Sequence, residues 1–169
     1  MSSLKNKPAF PFETIAVALA FSPRVEAMLA EACRMAVLYE SRLIVIHVGK
    51  KSTETEHKMT ELLSKLSIEN ISVIWREGSV ADEVLNVCKS EEVDLLLLGA
   101  LIKESMFKFY LGSIARTISR KAKCSILLYT EPQLKPKSFQ RIVVSGVEHD
   151  KTKETIATAV YISIKEKVA

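Results

Sequence analysis

The stretch LLLLGALIKESMFKFYLGS, Leu95 to Ser113, decides how this chain is read. A leucine run stops at Gly99, a segment carrying Lys103 and Lys108 follows, and Gly112-Ser113 opens a segment of helical periodicity. An apolar run without polar alternation fits a strand buried on both faces, as in a parallel sheet. A glycine leaving such a strand lets a ligand approach the backbone, and a Gly-Ser helix start leaves N–H groups facing outward with the helix dipole behind them. That is a place for an anion. A strand terminator and a helix start, both common without any ligand, describe the same residues.

Working outward, TIAVALAF (Thr14 to Phe21), RLIVIHV (Arg42 to Val48), ISVIWREG (Ile71 to Gly78), VDLLLLG (Val93 to Gly99) and CSILLYT (Cys124 to Thr130) are all short apolar runs of strand type. Between them the apolar residues recur at helical spacing: Val25, Leu29, Ala32 and Ala36; then Ala81, Val84, Leu85 and Cys88; then Ile114, Ile118 and Ala122. The segment from Glu54 to Leu66 turns apolar only at Leu62, Leu63 and Leu66 and is the weakest of the helices. Strand and helix in alternation predict an open α/β sheet with right-handed crossovers, whose ligands sit beyond the carboxyl ends of the strands.

The chain of 169 residues is 48% hydrophobic and 26% charged, enough for one good core, and its net charge of +4 is far below that of a dedicated nucleic-acid binder. A small anion is the better expectation, with neither nucleic acid nor membrane as partner. Cys33, Cys88 and Cys124 are far apart, show no CxxC and lie among apolar residues, which reads as buried thiols in a reducing compartment. The start MSSLKNKPAFPFE carries Pro8 and Pro11 and no long apolar core, so neither a secretory signal nor a membrane span is expected and the cytoplasm is the expected location.

EPQLKPKSFQ reads as a linker after the fifth strand. RIVVSGVEHDKTKETIATAVYIS from Arg141 then lies over TIAVALAFSPRVEAMLAEACRMA from Thr14 at constant offset, with Ile142 on Ile15, Val144 on Val17, Ala157 on Ala30 and Ala159 on Ala32. The organisation read from this is a tail over 1–12, an α/β domain over 13–130, a linker over 131–139, and over 140–169 a C-terminal strand-helix extension, the start of a second, truncated copy of the domain. An unrelated strand-helix appendage is the alternative.

The order of elements, the RLIVIHV second strand, the EG closing the third, the VDLLLLGA fourth, and GALIKESMFKFYLGSIARTISRKAKCSILL resemble the universal stress protein family over about residues 13 to 130, in the manner of its tandem members. The resemblance implies a Rossmann-like, five-stranded parallel sheet of order 3-2-1-4-5 with helices on both faces. It implies a cytoplasmic stress-response or regulatory protein, not an enzyme, that acts through dimerisation and binds ATP or AMP in a degenerate site; slow ATP hydrolysis stays open. Nucleotide-binding members carry Gly-x2-Gly-x9-Gly-Ser/Thr in this loop. Gly99 matches the first glycine, Gly112 the third and Ser113 the hydroxyl residue, but Ile102 stands where the second glycine belongs, and a β-branched residue resists φ > 0. At the end of the first strand, Ala20 and then Phe21 stand where the family places an Asp near the nucleoside. Val48 matches the position whose backbone pairs with adenine, and Lys103 and Lys108 add charge beside the phosphate position. Should the side chains of Ile102 and Ala20 fill the cleft, a nucleotide-free protein-interaction module of the same fold is the reading instead. The resemblance also implies a homodimer through the edge strand Cys124 to Thr130, since an open edge exposes unpaired N–H and C=O groups.

No GxxxxGK[ST], GxGxxG, HExxH, GxSxG or HxGH-like motif is present, so no catalytic residue is proposed and adenylyl transfer is disfavoured. His47 reads as a satisfied histidine in an apolar strand, and His57 and His149 have no second ligand at metal spacing, so no metal is expected. Asp82 and Glu83 after Ser79 suit a helix start, and Arg116, Arg120, Lys121 and Lys123 suit a solvated face and the helix's negative end.

Overall fold

The computed structural model describes residues 11–66, 70–103, 108–110 and 112–168, with backbone alone described at 101–103, 108–110 and 150–151. Strand β1 (Thr14–Leu19) leads through helix α1 (Val25–Tyr39) to β2 (Arg42–Val48), then through α2 (Thr53–Ser64) to β3 (Ile71–Arg76). Helix α3 (Val80–Ser90) crosses to β4 (Leu95–Gly99). Short strands β5 (Leu101–Lys103) and β6 (Lys108–Tyr110) precede α4 (Ser113–Lys121), β7 (Ser125–Tyr129) and α5 (Asp150–Glu166). The main sheet runs β3-β2-β1-β4-β7 with every pair parallel, the expected order 3-2-1-4-5 of an α/β fold.

The leucine run explains why β4 sits inside the sheet. Leu95 and Leu97 join the core under α1, while Leu96 and Leu98 join the one under α3 and α4. Burying such a side chain contributes about 1.5–3 kcal/mol, so the strand is held from both faces. Asp94 sets its register. Its Oδ2 accepts the Glu13 and Thr14 N–H groups, both at 2.9 Å, its own N–H donates to Thr14 at 2.9 Å, and its carbonyl accepts from Ser125 at 3.0 Å. One residue thus pins the starts of β1, β4 and β7.

Helix α2 forms in full because Ser52 and Thr55 cap each other: Thr55 N–H donates to Ser52 Oγ at 3.2 Å and Ser52 N–H to Thr55 Oγ1 at 2.9 Å. Ile114, expected on the buried face of α4, is instead 47% exposed, and Ile118 carries that face. The segment after Gly99, read as a loop, contains an antiparallel ribbon in which Ile102 faces Phe109 and Lys103 faces Lys108.

Of the C-terminal strand-helix extension, the helix forms and the strand does not. Residues 141–147 carry no strand pairing, and Val143 and Val147 are 82% and 74% exposed. A strand needs a partner for its N–H and C=O groups, and none of the described strands pairs with this segment. Helix α5 packs on α1 through stacked rings of Tyr39 and Tyr161 at 5.5 Å, with Phe12 edge-on to both. Glu166, its side chain wholly buried, meets Arg34 at 2.8 Å, which compensates part of the cost of removing that carboxylate from water.

Asp94→Ala leaves two N–H groups without their acceptor and is expected to lower stability by about 2–4 kcal/mol in urea unfolding, whereas Val37→Ala, at a position 64% exposed, changes it by less than about 0.5 kcal/mol. Equal midpoints for the two variants would contradict the role given to Asp94.

Candidate functional site

Because every strand of the main sheet points the same way, the ends of β1, β2, β3 and β4 reach one edge of the molecule. At the end of β1, Ala20 is exposed and Phe21 turns back over the sheet. The Phe21 ring lies 4.7 Å from the His47 ring and 6.4 Å from that of Trp75, and His47 and Trp75 are 4.7 Å apart. Three aromatic rings, one from the turn after β1 and one each from β2 and β3, therefore form the floor of this edge on the α1 side.

His47 is buried, and its Nδ1 lies 3.0 Å from the Leu19 carbonyl. A carbonyl only accepts, so Nδ1 carries the proton in this bond and Nε2 is the nitrogen that faces Gly49. A Cβ at Gly49 would stand 2.9 Å from that Nε2, so the ring's position requires glycine there. Val48, half-buried between His47 and Gly49, closes β2 at this same edge, and Gly49 N–H donates to Arg76 at 2.9 Å.

Gly99 is different. A Cβ there would meet only Met28 Sδ at 3.5 Å, ordinary contact, so packing among the described residues does not demand a glycine. Gly112 caps α4 with a buried, extended backbone (φ −57°, ψ 160°), and as a glycine it offers no side chain to the helix's first N–H groups, for which no other cap is seen among the described residues. Ser113 is exposed, and no acidic residue lies in the first turn. The helix start thus keeps its donors and its positive dipole end for solvent or an anion.

Arg24, which sequence reasoning passed over, lies just before α1 and joins two chain segments. Its guanidinium donates to the Ala100 carbonyl at 2.9 Å and to the Thr130 carbonyl at 2.6 Å, fastening the residue after Gly99 to the exit of β7. The only sequence signal is an arginine after Pro23, and nothing nearby reveals partners that lie 76 and 106 residues away.

Ile102 lies in β5, in the extended backbone that a β-branched residue favours, so its place in the motif is taken by a strand and not by a left-handed turn. Whether its side chain fills the cleft lies outside the described residues, as do the side chains of Lys103 and Lys108. Ser79 precedes α3 without a side-chain cap, and the acidic residues of that helix pair with cations: Glu83 with Arg76 at 3.9 Å, Asp82 with Lys121 at 4.0 Å. Among the described residues no three His, Cys, Asp or Glu side chains converge as a metal site, and no described helix is long and apolar enough to cross a membrane. A separate groove of about 430 Å³ runs along β7, between Leu127 and Tyr129 on one side and Gln133, Lys137 and Phe139 of the linker on the other.

Residues 49–130 match the sequence model of the Universal stress protein family. The chain is 22% identical over 145 residues to the universal stress protein YxiE of Bacillus subtilis (strain 168), an alignment spanning 69% of this chain and 98% of that protein. It is 30% identical over 88 residues to a universal stress protein of Methanothermobacter thermautotrophicus, 51% of this chain and 60% of that one. Among solved structures, a universal stress protein in complex with cAMP superposes with a TM-score of 0.58 at 16% identity, covering 70% of this chain and 97% of the other. One from Archaeoglobus fulgidus in complex with dAMP superposes with a TM-score of 0.51 at 21% identity, over 69% of this chain and 97% of the other. The sequence matches are to universal stress proteins, and the solved structures share the fold of this chain.

Trp75 is the chain's single tryptophan and reports on the aromatic floor directly. Phe21→Ala is expected to move its emission to longer wavelength and to cost about 1–2 kcal/mol, less than a fully buried ring would. Unchanged emission would mean that Phe21 does not pack on the Trp75 side of the crevice.

Proposed function

We propose that this chain is a regulatory protein of universal-stress type, cytoplasmic and dimeric, that binds an adenine nucleotide, ATP or AMP, at the carboxyl edge of its sheet. In this reading the base lies near the ends of β1 and β2, by Ala20 and the Val48 backbone, and the phosphates lie between Gly99 and the Gly112-Ser113 start of α4. Lys103 and Lys108, which face each other in the β5–β6 register, stand in the loop between those glycines. The observation that carries the reading is a start of α4 without a side-chain cap, together with a glycine at the end of β4 that packing among the described residues does not require. Related folds in complex with cAMP and dAMP support the choice of ligand class. No catalytic step is assigned.

A homodimer through Cys124 to Thr130 belongs to the same reading. It is supported by the position of β7 at the open edge of the sheet, where Leu128 is 37% exposed. Residues 140–169 are read as the opening of a second copy of the domain. Phe21 favours a second reading, a nucleotide-free interaction module, because its ring already covers the end of β1 where the family resemblance puts an acidic residue.

Calorimetric titration with Mg-ATP and with AMP, on protein whose mass is checked by light scattering, tests the proposal. The expected result is a dimer that binds in the micromolar range (roughly −8 kcal/mol at 1 μM), weakened about three- to tenfold by Ser113→Ala, a loss worth roughly one hydrogen bond, and tightened by Ile102→Gly. No heat from either the starting protein or Ile102→Gly would leave the interaction module as the reading, and a monomer would remove the dimer.

A further inference from the structure

Two of the three cysteines lie together. The last turn of α3 folds back into β4 through a bond from Val93 N–H to the Cys88 carbonyl at 3.0 Å. The next residue, Asp94, accepts the Ser125 N–H at 3.0 Å, which brings the start of β7 to the same place. Cys88 and Cys124 therefore flank one point of the sheet, and both side chains enter the layer between the sheet and helices α3 and α4. Cys88 is only 8% exposed, while Cys124 is half-buried, and all three cysteines are free.

We propose that Cys88 and Cys124 form a peroxide-responsive dithiol, in which Cys124 reacts first and Cys88 closes a reversible disulfide between α3 and β7. The two thiols act on each other within this shared layer, and that interaction separates their roles. Cys88 is raised by its neighbour Cys124 and further by burial, and Cys124 is lowered towards the thiolate by Cys88. Burial and the Asp94 charge oppose that lowering, and the Cys124 backbone assists it. The thiolate is the form that attacks a peroxide. Cys33 offers an internal comparison, since it belongs to the opposite layer under α1 and burial pushes its thiol up to about 11.

The steps balance with a hydroperoxide as the only co-reactant. The Cys124 sulfur attacks the terminal peroxide oxygen, the O–O bond breaks, and the departing alkoxide takes a proton to leave as an alcohol, or as water from hydrogen peroxide. Cys124 is then a sulfenic acid and no longer the thiol neighbour that raises Cys88. The Cys88 sulfur attacks the Cys124 sulfur, the S–O bond breaks, and hydroxide departs with the Cys88 proton as water. Two thiols have lost two electrons, and the peroxide has gained them. With no third His, Cys, Asp or Glu converging on them among the described residues, the pair is better suited to this chemistry than to a metal. The edge-pairing groups of β7 are backbone groups in the sheet plane, so a seam along that strand leaves the Cys124 sulfur in the helix layer.

Treating the full chain with one equivalent of hydrogen peroxide, then alkylating and mapping peptides by mass spectrometry, tests the proposal. The expected product is a Cys88–Cys124 disulfide, reversed by dithiothreitol, with Cys33 alkylated. Cys88→Ser is expected to accumulate a sulfenic acid at position 124 that dimedone traps, and Cys124→Ser to react at least tenfold more slowly. Oxidation of Cys33 before Cys124, over-oxidation of Cys124 with Cys88 still free, or no reaction at that dose would each overturn it.

Discussion

The carboxylate of Asp94 is the constraint on which the rest of the molecule depends. A parallel sheet has no tight hairpins to fix its register, so the start of each strand must be fixed by something else. Here one buried side chain accepts both N–H groups that open β1, while the backbone of the same residue bonds β1 on one side and β7 on the other. With those three strands aligned, the leucines of β4 alternate without exception into the two cores. A slip of one residue would send each leucine to the opposite layer and displace the carboxylate from its donors.

Alignment at one end of the sheet creates the opening at the other. The crossovers on either side of β1 and β4 leave by opposite faces, α1 under one and α4 over the other, so the space between those strand ends is not closed by a helix. What lines it has two characters. The side near β2 and β3 is aromatic, built from Phe21, His47 and Trp75, and suits a flat apolar face. The side near α4 presents, among the described residues, glycines and backbone donors without a side-chain cap, and suits an anion. A molecule that is a ring at one end and a phosphate at the other matches both. Arg24 adds a mechanical link, since it ties the beginning of the glycine side to the end of β7.

Much of this was legible in the residues, and the limits have physical causes. The five strands of the main sheet could be read because each is buried on both faces and so carries an unbroken apolar run. Their spatial order came with the family resemblance, since periodicity says nothing about which strand neighbours which. Residues 141–147 look like a strand to the same reasoning, but pairing depends on a neighbour and not on composition, and the chain there remains unpaired. The β5–β6 ribbon was hidden by its lysines and by the lack of a recognisable turn dipeptide. Gly99, Gly112 and Ser113 could be nominated from their places at a strand end and a helix start, and the family resemblance supplied the spacing that links them. The His47 bond to Leu19, the Arg24 link and the meeting of Cys88 with Cys124 could not, because each joins residues far apart in sequence.

Hydrogen–deuterium exchange with and without saturating AMP, read by mass spectrometry, tests the central claim most directly, because it reports where a ligand sits as well as whether it binds. The account predicts slowed exchange in peptides covering 19–22, 47–49, 99–103 and 112–116, with 131–140 unchanged. Protection confined to the groove along β7, or none at any position, would contradict it.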